Sequence, residues 1–376
     1  MKSIADILCD LIQIRTDPTV QDNSEMVDYI TNYLRENGII FELIPNPDGK
    51  MNILAGINVE GLHDISGGIV LSGHMDTVGA TPSDWKTDPF QGVIHDGQVY
   101  GRGTMDMKQF IAVVLGLLPE LKQTSLPIFL AFTCDEETTV YGAEQITRFL
   151  TENHINPDYA LVGEATDFKL CIGNRGYAGY QTCIKGVAGH AGNPSLGTNA
   201  AYIAAKIISK IEALNVAYMP QGTTLNVGVI NGGIGRNSIP DYATIDWEVR
   251  YQNRDVLEQI NTEMNAFYQT LIKDYPNAKI TINAAETLPA FEKQPASRIT
   301  QTAKDLLKTE EFEISYASEA GFYQALGMDT LMCGAGNPKL AHTVDEHIAI
   351  VDLEKYAEFL IDLIKSVKNN VREINL

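Results

Sequence analysis

His74 and Asp76 stand two residues apart at the end of the apolar run Ile69-Val70-Leu71-Ser72-Gly73. Side chains two apart on a strand share a face, and a metal-binding imidazole usually gives its second ring N–H to a carboxylate that fixes its orientation. Asp76 is therefore expected to orient His74. Further acids and a second histidine recur in the same setting. Asp106 closes a loop punctuated by Gly101 and Gly103, Asp135-Glu136-Glu137 ends an apolar run, Glu164 follows Leu161-Val162-Gly163, and His342 lies beyond Leu331-Met332-Cys333-Gly334 and a glycine-rich loop. Burying three consecutive acids unpaired would be very costly, and neighbours on an extended segment point to opposite sides, so Glu136 and Glu137 are expected to do different jobs. Singly, Asp106 reads as a helix cap, Glu136 and Glu137 as a solvated turn, and His342 as a loop histidine. Together, imidazole and carboxylate donors suit zinc or cobalt better than magnesium, which prefers oxygen and keeps its waters.

The elements that must position these residues alternate. Strands are predicted at residues 39–44, 52–57, 69–71, 127–133, 159–163 and 331–334, with helices between them. Ser24 reads as the N-cap of a helix with Val27, Ile30 and Leu34 on its apolar face. The helix after Asp106 carries an apolar stripe of Phe110, Val113, Val114 and Leu117, and another helix is predicted over 143–150. This order predicts an α/β sandwich with a mixed, mostly parallel sheet between helices. In such sheets ligands bind beyond the carboxyl ends of the strands, where the scattered acids and histidines can converge. From Tyr177 the pattern changes to βαββαβ, an α+β module of the ferredoxin-like split βαβ type. After Pro289 the first pattern resumes, ending in a helix over 351–367. The expected organisation is a catalytic domain in two parts, 1–175 and 288–376, interrupted by an inserted lid and dimerisation domain, 176–287.

The chain has 376 residues, a length that favours two domains and a sizeable core. Its 28 basic and 48 acidic residues give a net charge of −20, which disfavours nucleic acid and anionic membranes and suits small or cationic substrates. Five scattered cysteines without a CxxC pair predict free thiols in a reducing compartment. The amphipathic start, interrupted by Asp6 and Asp10, does not read as a secretory signal, and the longest apolar run, 110–118, falls short of the roughly 18 residues a membrane span needs. A cytoplasmic location is expected.

Six motifs, in order along the whole chain, carry a resemblance: Gly73-His74-Met75-Asp76-Thr77-Val78, Gly101-Arg102-Gly103-Thr104-Met105-Asp106-Met107-Lys108, Asp135-Glu136-Glu137, Gly163-Glu164, Gly189-His190-Ala191 and Ala341-His342. The chain resembles the dinuclear-metal amidohydrolases and peptidases that include acetylornithine deacetylase, succinyl-diaminopimelate desuccinylase, aminoacylase and carboxypeptidase G. The likeness to the acetylornithine deacetylases is greatest, through Trp85-Lys86-Thr87-Asp88-Pro89-Phe90, Arg236-Asn237-Ser238-Ile239-Pro240 and Ser318-Glu319-Ala320-Gly321-Phe322. The resemblance implies two divalent ions, zinc or cobalt. His74 and Glu164 would hold one, Glu137 and His342 the other, and Asp106 would bridge them. It also implies Glu136 as general base, Asp76 behind His74, and His190 as oxyanion donor, reaching across from the partner subunit of a homodimer as in the relatives.

For substrate binding, Arg175, Asn237 and Arg250 match positions that hold substrate carboxylates, although solvated arginines are the plainer alternative. Glu319 is the candidate for a distal substrate ammonium. Gly321 stands where the desuccinylases carry an arginine, which favours a small uncharged acyl group on a cationic amino acid. The expected reaction is hydrolysis of N-acetylornithine to ornithine and acetate, as in arginine biosynthesis. The alternatives are a related deacylase acting on acetylcitrulline, another acyl-amino acid or succinyl-diaminopimelate, a dipeptidase, or a metal-free binding protein on the same fold.

Overall fold

The computed structural model describes residues 2–374 and divides into two compact units. The first comprises Met1–Gly173, Lys293–Glu313 and Ser318–Leu376; the second comprises Asn174–Glu292 and Ile314–Ala317.

In the first unit an eight-stranded sheet runs in the order Ile40–Pro45, Met51–Ile57, Ile128–Thr133, Ile69–His74, Tyr159–Val162, Asp329–Met332, Leu170–Asn174, Glu311–Ile314. The four strands from Ile128–Thr133 to Asp329–Met332 are parallel to one another, and the pairings flanking them are antiparallel. Parallel strands buried on both faces read as continuous apolar runs, and Ile128–Thr133 and Ile69–His74 are buried throughout. On one face Ile69, Leu71, Ile128 and Leu130 join a core with Leu8, Leu11, Phe110, Tyr356 and Leu360 from helices Ile4–Gln13, Lys108–Gly116 and Ile350–Ile374.

Two local expectations are corrected. Ser24 is the first residue of helix Ser24–Glu36 and not its cap; the preceding Asn23 makes no capping bond because its side-chain amide is engaged with both the N–H and the C=O of Met51. Helix Lys108–Gly116 is not amphipathic, since every residue from Lys108 to Leu115 is buried. Even Lys108 is interior, and its Nζ donates to the carbonyls of Leu11 and Ile14 at 3.0 and 2.8 Å, closing the end of helix Ile4–Gln13. Burial pulls its ammonium pKa down to about 7.

The second unit has an antiparallel four-stranded sheet in the order Thr224–Gly232, Tyr242–Tyr251, Gly176–Lys185, Lys279–Leu288. Ile203, Ile207 and Ile211 of helix Ala200–Tyr218 and Ile260, Met264 and Tyr268 of helix Arg254–Asp274 pack with strand residues Ile184, Ile245 and Val249. The order of elements and strands is that of a split βαβ module. Among the described residues no helix is long and apolar enough to cross a membrane.

One packing contact governs where the strand ends lie relative to the Asp106 loop. The Phe110 ring sits against Gly73 and Gly163, each immediately before a candidate ligand. A Cβ at Gly73 would come within 2.7 Å of the ring, and one at Gly163 within 2.0 Å. Gly163→Ala is therefore expected to destabilise the first unit by about 1–3 kcal/mol through overpacking. Urea unfolding checks this; combining the substitution with Phe110→Leu should recover part of the loss.

Candidate metal centre and active site

Four parallel strands end on one edge, and the candidate residues follow their carboxyl ends. His74 is the last residue of its strand and is fully buried. Its Nε2 lies 2.9 Å from Asp106 Oδ1 and 3.6 Å from Glu164 Oε1. His342 is half-exposed, with Nε2 2.9 Å from Glu137 Oε1 and 3.1 Å from Asp106 Oδ2. Two groups result, His74 with Asp106 and Glu164, and Asp106 with Glu137 and His342, and within each the donor atoms lie within 4.8 Å of one another. Asp106 belongs to both, one carboxylate oxygen facing each histidine.

Electrostatics explains what this arrangement needs. Burial pushes the Glu164 carboxyl well up, and the nearby Asp106 charge adds to it. Glu136 is likewise pushed well up by burial and by Glu164, Asp106 and Glu137, with His74 opposing. Burial alone would lower the His74 pKa, but its bonds to Asp106 and Asp76 and the charge of Glu164 outweigh that and raise it. His342 is raised to about 10 by Asp106 and then Glu137. Asp106 is held well below the usual carboxylate range: burial opposes this, but the bonds from His342 and His74 prevail. Carboxylates crowded around two imidazoles form a donor set that a pair of divalent cations would neutralise.

The turn that delivers Glu136 and Glu137 is locally determined. These residues are not on an extended segment, as the alternation argument assumed, but in a turn after strand Ile128–Thr133. Asp135 and Val140 bracket the turn at φ 65° and 55°, in the left-handed region, and the Asp135 carbonyl accepts the N–H groups of Thr139 and Val140 at 2.9 and 2.7 Å. Asp76 lies against His74 and has a further task. The His74 Nδ1 lies 3.0 Å from the Asp76 backbone carbonyl and 3.5 Å from its carboxylate, and that carboxylate also accepts the N–H groups of Glu136 and Glu137 at 3.2 and 3.0 Å. Asp76 thus ties the His74 strand end to the acidic turn.

Glu319 does not sit where a substrate ammonium could meet it. It is 1% exposed, and one carboxylate oxygen accepts from Ser72 at 3.0 Å while the Ser72 hydroxyl also bonds the buried Tyr323. It is an interior carboxylate behind the His74 strand, so its expected contact with substrate is withdrawn.

The remaining candidates lie in the second unit. His190 is exposed on strand Gly189–His190, which pairs with Ser238–Ile239, and the Asn237 carbonyl accepts the Ala191 N–H at 3.0 Å. His190 and Asn237 are therefore neighbours. Arg250 pairs across the sheet with Tyr177, its guanidinium 4.4 Å over that ring and 3.3 Å from Glu248, and Arg175 directly precedes strand Gly176–Lys185. These arginines are at the opposite end of the sheet from the His190 hairpin, since the Arg250 strand reaches Tyr242 before the chain comes to Ser238. At about 3.3 Å per residue the separation is on the order of 25 Å, whereas an N-acyl amino acid spans about two residues, or roughly 7 Å.

Residues without an obvious signal also shape the site. The Asp135 carboxylate accepts from Asn46 Nδ2 at 2.9 Å and is paired with Lys50, while Asn52 accepts the Cys134 N–H at 2.9 Å and donates to Asn46 at 2.8 Å. These residues are some 85 positions away in sequence, and only the antiparallel pairing of Met51–Ile57 with Ile128–Thr133 brings them close.

Two histidine and carboxylate groups sharing one aspartate, at the carboxyl edge of an α/β sheet, define a metal-dependent hydrolase. The model of peptidase family M20/M25/M40 matches residues 70–366, and the chain belongs to this family. It is 31% identical to the acetylornithine deacetylase of Pasteurella multocida over 92% of this chain and 91% of that one. Among solved structures it resembles aminopeptidase PepT of Bacillus cereus, with a TM-score of 0.74 at 22% identity covering 97% and 98% of the two chains. It also resembles the Bacillus subtilis YXEP protein, a dinuclear metal-binding peptidase of the M20 family, with a TM-score of 0.67 at 15% identity and 97% of each chain covered. The chain is a metal-dependent amidohydrolase.

Lys50 partners an acid whose side chain is only 6% exposed, and burial raises the Asp135 pKa even with the ammonium beside it. Lys50→Met is expected to cost about 2–3 kcal/mol, below the full value for a broken buried pair because Lys50 is itself partly exposed and Asp135 can protonate. Chemical denaturation checks this, and Lys50→Met combined with Asp135→Asn should be more stable than Lys50→Met alone.

Proposed function

We propose that the chain removes a small acyl group from an N-acyl amino acid, with N-acetylornithine as substrate and ornithine and acetate as products. The observation that carries the reading is the shared Asp106 between two donor groups, with Glu136 beside them and in neither. His74, Asp106 and Glu164 would hold one divalent ion and Asp106, Glu137 and His342 a second. Imidazole and carboxylate donors favour zinc or cobalt. Such ions, when bound, supply Lewis acidity to the scissile carbonyl and to the attacking water. Glu136 then takes the proton of that water and delivers it to the departing amine, a task open to a carboxylate that is not itself a ligand. Asp76 keeps Glu136 and Glu137 in register with His74 through their backbone N–H groups.

The substrate choice rests on the similarity to acetylornithine deacetylases over nine-tenths of the chain and on Gly321, which supplies no cation for an anionic acyl tail. In this reading Arg175, Arg250 and Asn237 bind the α-carboxylate, and His190 receives the oxyanion. The length of strand Tyr242–Tyr251, which separates Arg175 and Arg250 from His190 and Asn237, supports their coming from different copies. We therefore assign His190 and Asn237 of each site to a second copy of the chain in a homodimer. The edge strand Thr224–Gly232, with Val229 and Ile230 exposed, supports a dimer built through this unit. Five free cysteines fit a reducing cytoplasm.

A panel of acetylornithine, acetylcitrulline, acetylmethionine, succinyl-diaminopimelate and a dipeptide tests the substrate choice. Acetylornithine should give the highest kcat/KM; a preference for the dipeptide would overturn the deacylase reading.

Glu136→Gln should retain metal but lose about a hundred- to ten-thousand-fold in kcat, as for a removed general base. Metal analysis of Asp106→Ala, Glu137→Ala and His342→Ala should show reduced content in each; full occupancy in all three would reject the ligand assignment.

His190→Ala should be fully metallated and about a hundred- to a thousand-fold slower. Mixed with Glu136→Gln, it should regain part of the activity, because each mixed dimer contains one intact site. Activity no higher than that of the parents, in samples shown by native mass spectrometry to contain mixed dimers, would exclude donation between copies.

A further inference from the structure

Asp106 and His342 lie far apart in sequence, and something must hold their loops together before any cation arrives. The strand following the His342 loop, His347–Ala349, pairs antiparallel with Gln98–Tyr100, which leads into the Asp106 loop. At the junction stands Glu346, fully buried. Its carboxylate Oε1 accepts the backbone N–H groups of Gly103, Met105 and Asp106 at 3.1, 2.7 and 3.3 Å, and its Oε2 is paired with Arg102. The backbone joins in, because Gly101 N–H donates to the Glu346 carbonyl at 3.0 Å. Arg102 is fixed in turn, lying 5.2 Å over the Trp85 ring with its N–H bonded to the Pro89 carbonyl at 2.8 Å.

A carboxylate that accepts three backbone donors within one short loop imposes a fixed curvature on the loop that makes them. Here the last of the three belongs to Asp106, the residue common to both donor groups, and the acid is four residues after His342. We propose that Glu346 is a positioning residue that fixes Asp106 relative to His342 and thereby sets the cation affinity of the group formed by Asp106, Glu137 and His342. Glu346 touches no donor atom of either group; it acts on the backbone that carries them. This rests on the metal-centre reading above.

The test is zinc titration of the metal-stripped full-length protein in competition with a chromophoric chelator. His342→Ala identifies the equivalent held by the second group. Glu346→Ala should weaken that equivalent about 10–100-fold, the range for partners that orient metal ligands without binding metal. Glu346→Gln keeps the volume and an amide oxygen for the Met105 N–H, so it provides a folded variant should alanine not be tolerated, and it should weaken the same equivalent severalfold. Leu353→Ala, a buried apolar truncation in helix Ile350–Ile374, should lower the melting temperature and leave zinc affinity unchanged. Wild-type affinity in either folded Glu346 variant, with only the melting temperature lowered, overturns the proposal. A wild-type protein that fails to bind two equivalents of zinc would instead remove the metal-centre reading on which it rests.

Discussion

Like charges held together at the edge of a low-dielectric sheet are the constraint on which the first unit depends. Asp76, Asp106, Glu136, Glu137 and Glu164 meet around His74 and His342. Carboxylates brought this close raise one another's pKa unless something positive or proton-donating intervenes. The protein meets the problem unevenly. Asp106 has an imidazole on each oxygen, and Asp76 has the His74 imidazole beside it and two backbone N–H groups; both are depressed although burial opposes it. At Glu136 and Glu164 the influence of His74 does not offset burial and the neighbouring carboxylates, and both are pushed up. The acids left uncompensated are one in a donor group and one outside both.

Such a cluster has to be built on rigid supports, because a donor displaced by an ångström loses its partner. The support is layered. The parallel strands fix His74, the acidic turn and Glu164 at one level, and Gly73 and Gly163 let Phe110 press the Asp106 helix against them. Behind the His74 strand, Ser72 meets Glu319 and Tyr323. To the side, Lys50 and Asn46 grip Asp135, whose left-handed backbone turns the chain into Glu136 and Glu137. Strain of that kind persists only where surrounding contacts over-determine it.

Much of this was legible in the sequence, and what escaped shares a physical character. Continuous apolar runs ending in polar residues marked the buried parallel strands, and the switch to alternating patterns at Tyr177 marked the second unit. Residue type and position brought forward His74, Asp106, the pair Glu136 and Glu137, Glu164 and His342 as candidates, while their division into ligands and base came from the family resemblance. Residues whose importance lies in backbone contacts were not legible. Nothing in the run Asp345-Glu346-His347 shows that one acid will collect three N–H groups from residues some 240 positions earlier. The tie from the Asp76 carboxylate to the acidic turn, made beside its contact with His74, was not legible either, because it goes to backbone N–H groups. Glu319 reads like any polar site residue, and its depth follows only from tertiary packing.

The two donor groups differ in a way that composition does not reveal. The His74 imidazole has no exposed surface, whereas half of the His342 side chain is open, and His342 sits on a glycine-rich loop at φ 61° rather than at the end of a central strand. A strand end is held by ladder bonds on both sides; a loop is held by whatever grips it at its base. Rigidity in the first group is therefore inherited from the sheet, while in the second it must be supplied by particular residues. Glu346 at the far end of the loop and Asp345, which accepts the Lys86 N–H at 2.8 Å, are the contacts that supply it. The group that depends most on added support is thus also the one whose histidine is open to solvent.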